Sequence, residues 1–100
     1  MKLEKTNLED CFILSPKMFE DERGTFSETF NAQNFLDQTG IAVAFVQDNE
    51  STSKYGVVRG LHFQTGAHGQ AKLVRVVKGS ALDVVVDLRK GSPSFGESFS

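Results

Sequence analysis

The stretch GVVRGLHFQ, residues 56–64, places an arginine and a histidine three positions apart in an otherwise apolar run. A histidine can remove a proton as a general base near neutral pH, and an arginine can hold an anion through charge-assisted hydrogen bonds. In an unbroken strand this odd spacing would point Arg59 and His62 to opposite faces. Gly60 lies between them and can mark a bulge that turns both to one side. The stretch therefore offers a base and a cation for one site.

Other polar side chains fall inside runs that otherwise predict strands. In TFSETF, Glu28 would share one face of a strand with the aromatic residues two positions before and after it, and Lys72 begins the run KLVRVVKG. In AVAFVQDNE, Gln47 and Asn49 would share one face of a strand while Asp48 points to the other. Polar groups in the middle of a sheet need a partner or a ligand. These residues are therefore further candidates for a binding site.

Each candidate also has an ordinary structural interpretation. A strand histidine such as His62 can be a surface residue or a satisfied structural group, and Lys72 can be a solvated charge. Gln47 and Asn49 can form hydrogen bonds across strands. Arg23, in the stretch EDERG, fits a polar turn in which Gly24 supplies the special backbone conformation. The functional interpretation requires that the sheet close with these faces inward.

Composition excludes several classes of function. The chain has 100 residues, 39% hydrophobic and 24% charged, which fits one small globular domain. A formal net charge of −2 argues against binding to nucleic acid. Cys11 is the single cysteine, so no intrachain disulfide is possible, and we expect a cytoplasmic protein. No signal core or membrane-spanning run occurs. His62 and His68 lack a third ligand, so no metal site is predicted.

Strand patterns dominate the chain and predict an all-β fold, a sandwich or a barrel. One short peripheral helix is predicted at NAQNFLDQTG, with Asn31 as N-cap and Gly40 at the end. The final SPSFGESFS reads as a turn entering a new strand, so the chain looks truncated at its C-terminal end. The predicted strands are CFILS, TFSETF, AVAFVQDNE, VVRGLHFQ, KLVRVVKG and ALDVVVDLR.

Three long stretches resemble the dTDP-4-dehydrorhamnose 3,5-epimerase family, which is cupin-like. They are PKMFEDERGTFSETF, FVQDNESTSKYGVVRGLHFQ and AKLVRVVKGSALDVVVDLRKGSPSFG. The resemblance covers essentially the whole chain and matches the amino-terminal half of the family. It implies a cupin-type β-barrel, or jelly roll. Residues 1–100 would then be a single cupin-like domain, the amino-terminal portion of a longer epimerase domain.

The resemblance also implies roles for particular residues. His62 matches the family's general base, and Lys72 matches the lysine near the developing enolate oxygen. Positions that bind the nucleotide-sugar are matched by Phe19, Arg23, Glu28, Gln47, Asp48, Asn49 and Arg59. No metal and no cofactor are expected. The family's proton-donating tyrosine, the acid that orients the base and a further histidine are expected beyond Ser100, and Tyr55 does not match the donor.

The implied function is cofactor-independent epimerisation of dTDP-4-dehydro-6-deoxy-D-glucose at C3 and C5, in the biosynthesis of dTDP-L-rhamnose for lipopolysaccharide or other cell-wall polysaccharides. A homodimer that exchanges N-terminal strands is expected, with Arg23 and Glu28 reaching the neighbouring subunit's site. Three alternatives stay open. One is a related cupin that epimerises a single carbon or isomerises the ketone, and another is a non-catalytic fragment that binds the nucleotide-sugar. A metal-dependent cupin ranks last.

Overall fold

The computed structural model describes residues 1–100, which form two compact units. The first unit combines Met1–Ala42 with Val76–Ser100, and the second unit is Val43–Arg75. All six strands and the one α-helix lie in the first unit. The predicted fold class, mostly strands with one short helix, is confirmed at this level.

The strands form three separate two-stranded antiparallel sheets. Leu3 pairs with Leu14 in the first sheet, and Phe19 pairs with Phe26 in the second. The three pairs do not join, so the chain contains no closed barrel. Their bounds are β1 Lys2–Lys5 with β2 Phe12–Ser15, β3 Met18–Asp21 with β4 Gly24–Ser27, and β5 Val85–Val86 with β6 Ser98–Phe99.

The predicted helix is confirmed as α1, Ala32–Thr39, with both predicted ends. The Asn31 side chain accepts a hydrogen bond from the backbone N–H of Asn34 at 2.9 Å, which satisfies one of the free amides of the first turn. Gly40 ends the helix at a φ of 73°, and its N–H donates to the carbonyl of Leu36. Glycine adopts this left-handed conformation without a steric penalty.

A small aromatic cluster joins α1 to the first sheet. Phe35 is buried on the inner face of the helix, and its ring lies 5.8 Å from that of Phe12 on β2. The ring of Phe30 lies 5.9 Å from the ring of Phe35. Leu8, in the loop between β1 and β2, is also buried. These apolar contacts hold the helix against the sheet.

Several strand predictions were wrong. The stretches AVAFVQDNE, VVRGLHFQ and KLVRVVKG contain no strand in the structure, and ALDVVVDLR contributes only β5. CFILS and the start of TFSETF are confirmed as β2 and β4, whereas β1 and β3 were not predicted. A strand is defined by the neighbour that takes its backbone hydrogen bonds, and these stretches have no such neighbour within the chain.

The second unit has little regular structure of its own. It contains a single turn of 3-10 helix, Gly66–His68, and a turn in which Val57 donates to the carbonyl of Lys54. Large apolar side chains such as Val46, Val58 and Leu61 are exposed there. Neither helix in the structure has the length and apolar character that a bilayer crossing demands.

Candidate functional site

Arg23 lies at the tip of the β3–β4 hairpin, whose turn has only two residues. Asp21 pairs with Gly24 across the hairpin, which leaves Glu22 and Arg23 as the connection. The Asp21 Oδ1 atom accepts the backbone N–H of Arg23 at 2.8 Å, and Gly24 has a φ of 129°. An aspartate that bonds to the backbone two residues on is typical of such turns. The polar turn predicted for EDERG is therefore confirmed.

The Arg23 guanidinium forms an ion pair with Asp21 at the same tip. Its Nε donates to Asp21 Oδ2 at 3.1 Å, and its Nη2 donates to the same oxygen at 2.6 Å. These bonds lower the pKa of Asp21 and raise the pKa of Arg23. The Nη1 group takes no part in the pair. Arg23 is thus held in place and still offers N–H donors to an anion.

Phe19 lies beside Arg23 on the hairpin and is half exposed. Its ring is opposite Phe26, and the Lys17 Nζ lies 5.0 Å from its centroid. Phe19, Arg23 and Phe26 line one open concavity of about 500 Å³. The structure therefore brings two of the predicted binding residues, Phe19 and Arg23, to the same surface. An exposed ring beside a guanidinium can stack on a planar group while the cation binds an anion.

Glu28, the third candidate of the first unit, lies immediately after β4 and is exposed. It does not line the concavity that contains Phe19 and Arg23. It takes part in no ion pair, although its negative charge is available for one. Glu28 remains a prediction as a binding residue.

Arg59, in the second unit, is anchored by residues just before it in the chain. Its Nε donates to the Ser53 Oγ at 2.9 Å, and its Nη2 donates to the carbonyl of Thr52 at 3.5 Å. These bonds fold the stretch 52–59 back on itself. They leave the guanidinium exposed, with donors free for a ligand. No hydrogen bond joins Arg59 to His62.

His62 is exposed, and its ring lies against Gly60. A Cβ atom built on Gly60 would be 3.3 Å from the imidazole Nδ1. Gly60 has a φ of 97°, a backbone conformation that favours glycine. The bulge itself is absent, because residues 57–64 form no strand.

The remaining candidates of the second unit are all exposed, and none makes a side-chain hydrogen bond or ion pair with His62 or Arg59. They are Gln47, Asp48, Asn49 and Lys72. Their predicted faces assumed strands that the structure does not contain. The sequence located these chemical groups, but their arrangement around a ligand stays a prediction.

The polar network around Asp87 was not predicted from the sequence. This carboxylate is buried and accepts hydrogen bonds from Arg89 Nε at 3.0 Å, from Ser92 Oγ at 2.6 Å and from Ser94 Oγ at 2.6 Å. These bonds hold the pKa of Asp87 far below its usual range, and the bond from Arg89 has the largest effect. A buried, ionised and fully bonded carboxylate is typical of a structural centre. It is not exposed to a ligand.

The Asp87 network also fixes the loop between β1 and β2. The Arg89 Nη2 donates to the carbonyl of Glu9 at 2.6 Å, and the backbone N–H of Glu9 donates to Ser94 Oγ at 2.8 Å. Arg89 also forms a long ion pair with Asp10, at 3.4 Å. One sequence feature could have indicated the local part: an aspartate followed by a turn rich in Gly, Ser and Pro, in DLRKGSPS.

No three His, Cys, Asp or Glu side chains come together as metal ligands in the structure. The cationic and histidine candidates are instead separate, exposed groups, each available to a polar ligand. This chemistry suits the recognition of an anionic organic molecule and the transfer of a proton.

Known proteins with sequences like this one are sugar-nucleotide epimerases. The family described as dTDP-4-dehydrorhamnose 3,5-epimerase matches residues 5–100. The chain therefore belongs to the dTDP-4-dehydrorhamnose 3,5-epimerase family. A relative of that name from Salmonella typhimurium is 55% identical over 93 residues, which are 93% of this chain and 51% of the relative. A dTDP-4-dehydrorhamnose 3-epimerase from Streptomyces niveus is 41% identical and covers 96% of this chain and 46% of its own length.

Two solved structures have a similar backbone over nearly the whole chain. The dTDP-4-dehydrorhamnose 3,5-epimerase from Elizabethkingia anophelis NUHP1 aligns with a TM-score of 0.95 at 55% identity, covering 99% of this chain and 54% of that protein. The enzyme of that name from Bacillus anthracis, with TDP and PPi bound, aligns with a TM-score of 0.87 at 43% identity. The alignment covers 98% of this chain and 56% of that protein. The chain thus spans about half the length of its relatives.

Proposed function

We propose that this chain carries the base and the nucleotide-binding residues of a dTDP-4-dehydrorhamnose 3,5-epimerase, an isomerase acting on dTDP-4-dehydro-6-deoxy-D-glucose. The match of residues 5–100 to that family carries the proposal. The product would enter deoxysugar biosynthesis, with dTDP-L-rhamnose and cell-surface polysaccharide as its destination. No metal or cofactor takes part in the proposed reaction.

The reaction is a proton exchange at carbons next to a ketone. His62 removes the proton at C5 and later at C3, and the electron pair moves to the C4 carbonyl oxygen to give an enolate. The ammonium group of Lys72 stabilises the negative oxygen, because a nearby cation favours the enolate over the ketone. A proton is then delivered to the opposite face of each carbon. The donor is none of the nine candidate residues, and Tyr55 is not proposed for that role.

The nucleotide part of the substrate carries two phosphates and a planar base. Phe19 and Arg23 line one concavity, so an aromatic ring and a cation are available to such a group. The bound TDP of the Bacillus anthracis structure supports the same class of ligand here. We assign Arg59 to the phosphates, and Glu28, Gln47, Asp48 and Asn49 to hydrogen bonds with the sugar and the base.

A homodimer with exchanged N-terminal strands is part of the proposal. The β3 and β4 strands pair only with each other, and Phe19 and Phe26 are exposed on that hairpin. An isolated two-stranded hairpin is marginally stable in water, and pairing with a second copy would give it neighbours. We further propose that the β-strands belong to a cupin-type barrel of a cytoplasmic enzyme, in which residues 1–100 are the amino-terminal portion of one domain.

Deuterium labelling tests the proposed chemistry. Because the chain spans about half of its relatives, the assay uses the chain itself and a hybrid in which it replaces the matched residues of the Salmonella typhimurium relative. With dTDP-4-dehydro-6-deoxy-D-glucose in D₂O, NMR should show label entering C3 and C5 in the hybrid. His62→Ala should abolish labelling, whereas the matched control His68→Ala should retain it.

The outcomes separate chemistry from binding. Labelling that survives His62→Ala would remove His62 as the base, and a hybrid that labels neither carbon would contradict the epimerase proposal. If TDP still binds to the unlabelled hybrid, the non-catalytic binding fragment becomes the better interpretation. Lys72→Met should slow labelling by about 100-fold, the scale measured when one stabilising donor is removed from an oxyanion site.

A second candidate is epimerisation at one carbon only. The 41% identical relative from Streptomyces niveus, a 3-epimerase by name, favours this alternative. Label at C3 without label at C5 in the hybrid would select it. Label at both carbons would support the 3,5-epimerase.

A further inference from the structure

The imidazole ring of His62 lies directly over Gly60, the residue two positions before it. A Cβ atom on Gly60 would be 3.3 Å from the ring Nδ1, 3.5 Å from the His62 backbone nitrogen and 3.7 Å from Cε1. The shortest of these distances is tighter than ordinary van der Waals contact, so even a methyl group would press on the ring. We propose that Gly60 is a positioning residue for His62, because its missing side chain leaves the space that the imidazole occupies.

Two observations show that this contact can influence the orientation of the ring. No hydrogen bond holds either ring nitrogen of His62 within the chain. The ring is also exposed, so no packed core fixes it. An imidazole without a polar partner changes rotamer freely, and steric contact with its neighbours decides which orientation is favoured. A side chain at residue 60 would be such a neighbour on the side of Nδ1.

Gly60 differs in this respect from the other glycines with a positive φ. Gly56 has a φ of 83° and Gly79 a φ of 85°, and a Cβ at either would meet nothing within 4 Å. At Gly60 a side chain would be strained by the φ of 97° and would also meet the histidine ring. The comparison separates the two effects: Gly56 is a glycine for its backbone alone, whereas Gly60 also makes room for His62.

This inference deepens the proposed function, since it matters for catalysis only if His62 is the base. A general base must lie within hydrogen-bond reach of the proton that it removes, and a misplacement of about 1 Å can cost about 100-fold in rate. A side chain at position 60 would turn the Nδ1 edge away and so change where the ring can receive a proton.

The test is NMR of the chain with labelled histidine, in the wild type, Gly60→Ala and the matched control Gly56→Ala. In the wild type we expect a nuclear Overhauser effect between the α-protons of Gly60 and the Hε1 of His62. Gly60→Ala should shift the ring signals of His62 and change its nuclear Overhauser contacts. The ring signals of His68 should stay unchanged. Gly56→Ala carries the same backbone strain and should leave the His62 ring signals in place.

Two results would overturn the inference. One is the absence of the Gly60 to His62 contact in the wild-type chain, a measurement that requires no variant to fold. The other is a Gly60→Ala variant in which the ring signals stay where they are, or move no further than in Gly56→Ala. Neither result depends on enzymatic activity.

Deuterium labelling in the hybrid then links position to rate. Gly60→Ala should slow labelling by about 100-fold and leave the Kd for TDP within about twofold, because the ring and not the nucleotide contacts is displaced. If His62→Ala retains labelling, the proposed base is wrong, yet the NMR result still decides whether Gly60 sets the ring. If His62→Ala abolishes labelling and Gly60→Ala labels normally, the positioning role fails while the proposed function stands.

Discussion

The two units of the chain divide structure from chemistry. The first unit, Met1–Ala42 with Val76–Ser100, contains every strand, the helix α1 and the Asp87 network. The second unit, Val43–Arg75, contains most of the residues with proposed chemical roles, yet it has no strand. Exposed apolar side chains such as Val58 and Leu61 lie within its motif GVVRGLHFQ, residues 56–64. The residues with proposed chemical roles in the second unit therefore lie outside the packed core, whose buried apolar residues Leu8 and Phe35 belong to the first unit.

Amide hydrogen exchange should show the largest contrast between the units. Backbone amides in α1 and in the β1–β2 sheet are hydrogen bonded, whereas most of those in Val43–Arg75 have no regular partner. We expect exchange at least about 100-fold slower in the first set, because protected amides exchange only through local opening. Exchange monitored by NMR or mass spectrometry measures this ratio. Equal protection of the amides in both units would contradict the assignment of the regular structure to the first unit.

A phenylalanine from each unit should respond differently to truncation. Phe35 is buried and contacts two other rings, so Phe35→Ala should lower the free energy of unfolding by about 3–5 kcal/mol. Phe63, in the second unit, is 68% exposed, and Phe63→Ala should change the free energy of unfolding by less than about 0.5 kcal/mol. Urea unfolding followed by circular dichroism measures both. A cost at Phe63 as large as that at Phe35 would show a hidden core in the second unit.

The Asp87 network should make the first unit sensitive to acid. Bonds from Arg89, Ser92 and Ser94 lower the pKa of Asp87 in the folded state. The stabilisation that they give the fold is therefore complete above the pKa that Asp87 has in the unfolded chain, and it is lost as the pH falls from there toward the pKa of the folded state. Asp87→Asn should therefore unfold more easily at pH 7 and show a flatter pH dependence between about pH 5 and 2. Urea midpoints measured across this range test the prediction.

The exposed Asp83 provides the control for this titration. It lies on the same stretch as Asp87 and makes no ion pair in the structure. Asp83→Asn should leave the pH dependence of the midpoints unchanged. If the pH dependence of the midpoints flattened equally in the two variants, the net charge of the chain, and not the buried network, would cause the acid sensitivity.

Local sequence patterns predicted the parts of the structure that depend on local contacts. The N-cap Asn31, the terminating Gly40 and the turn at Arg23 each involve residues a few positions apart, and all are confirmed. The β-strand predictions for 57–64 and 72–79 failed because high β-propensity does not supply a partner strand. The Asp87 network escaped prediction since it joins Ser94 to Glu9, 85 residues earlier.

The candidate site shows the same limit. The sequence located Arg59, His62 and Lys72 by chemical type and by resemblance, and none of them depends on a particular fold to be recognised. Their orientations were predicted from period-two alternation, which holds only within a strand. The contact between Gly60 and His62 depends on backbone conformation at one residue, so no periodicity could indicate its distance.

The N-cap of α1 gives the smallest of the expected effects and the finest test of the comparison. Asn31→Ala removes the acceptor of the Asn34 amide, which should lower the free energy of unfolding by about 1 kcal/mol. Asn49 in the second unit is exposed and its side chain makes no hydrogen bond in the structure, so Asn49→Ala should leave the free energy of unfolding within about 0.5 kcal/mol of the wild-type value. Urea unfolding of both variants measures the difference. Because Asn49 is proposed to bind the nucleotide-sugar, only Asn49→Ala should weaken TDP binding, so the two asparagines should separate stability from recognition.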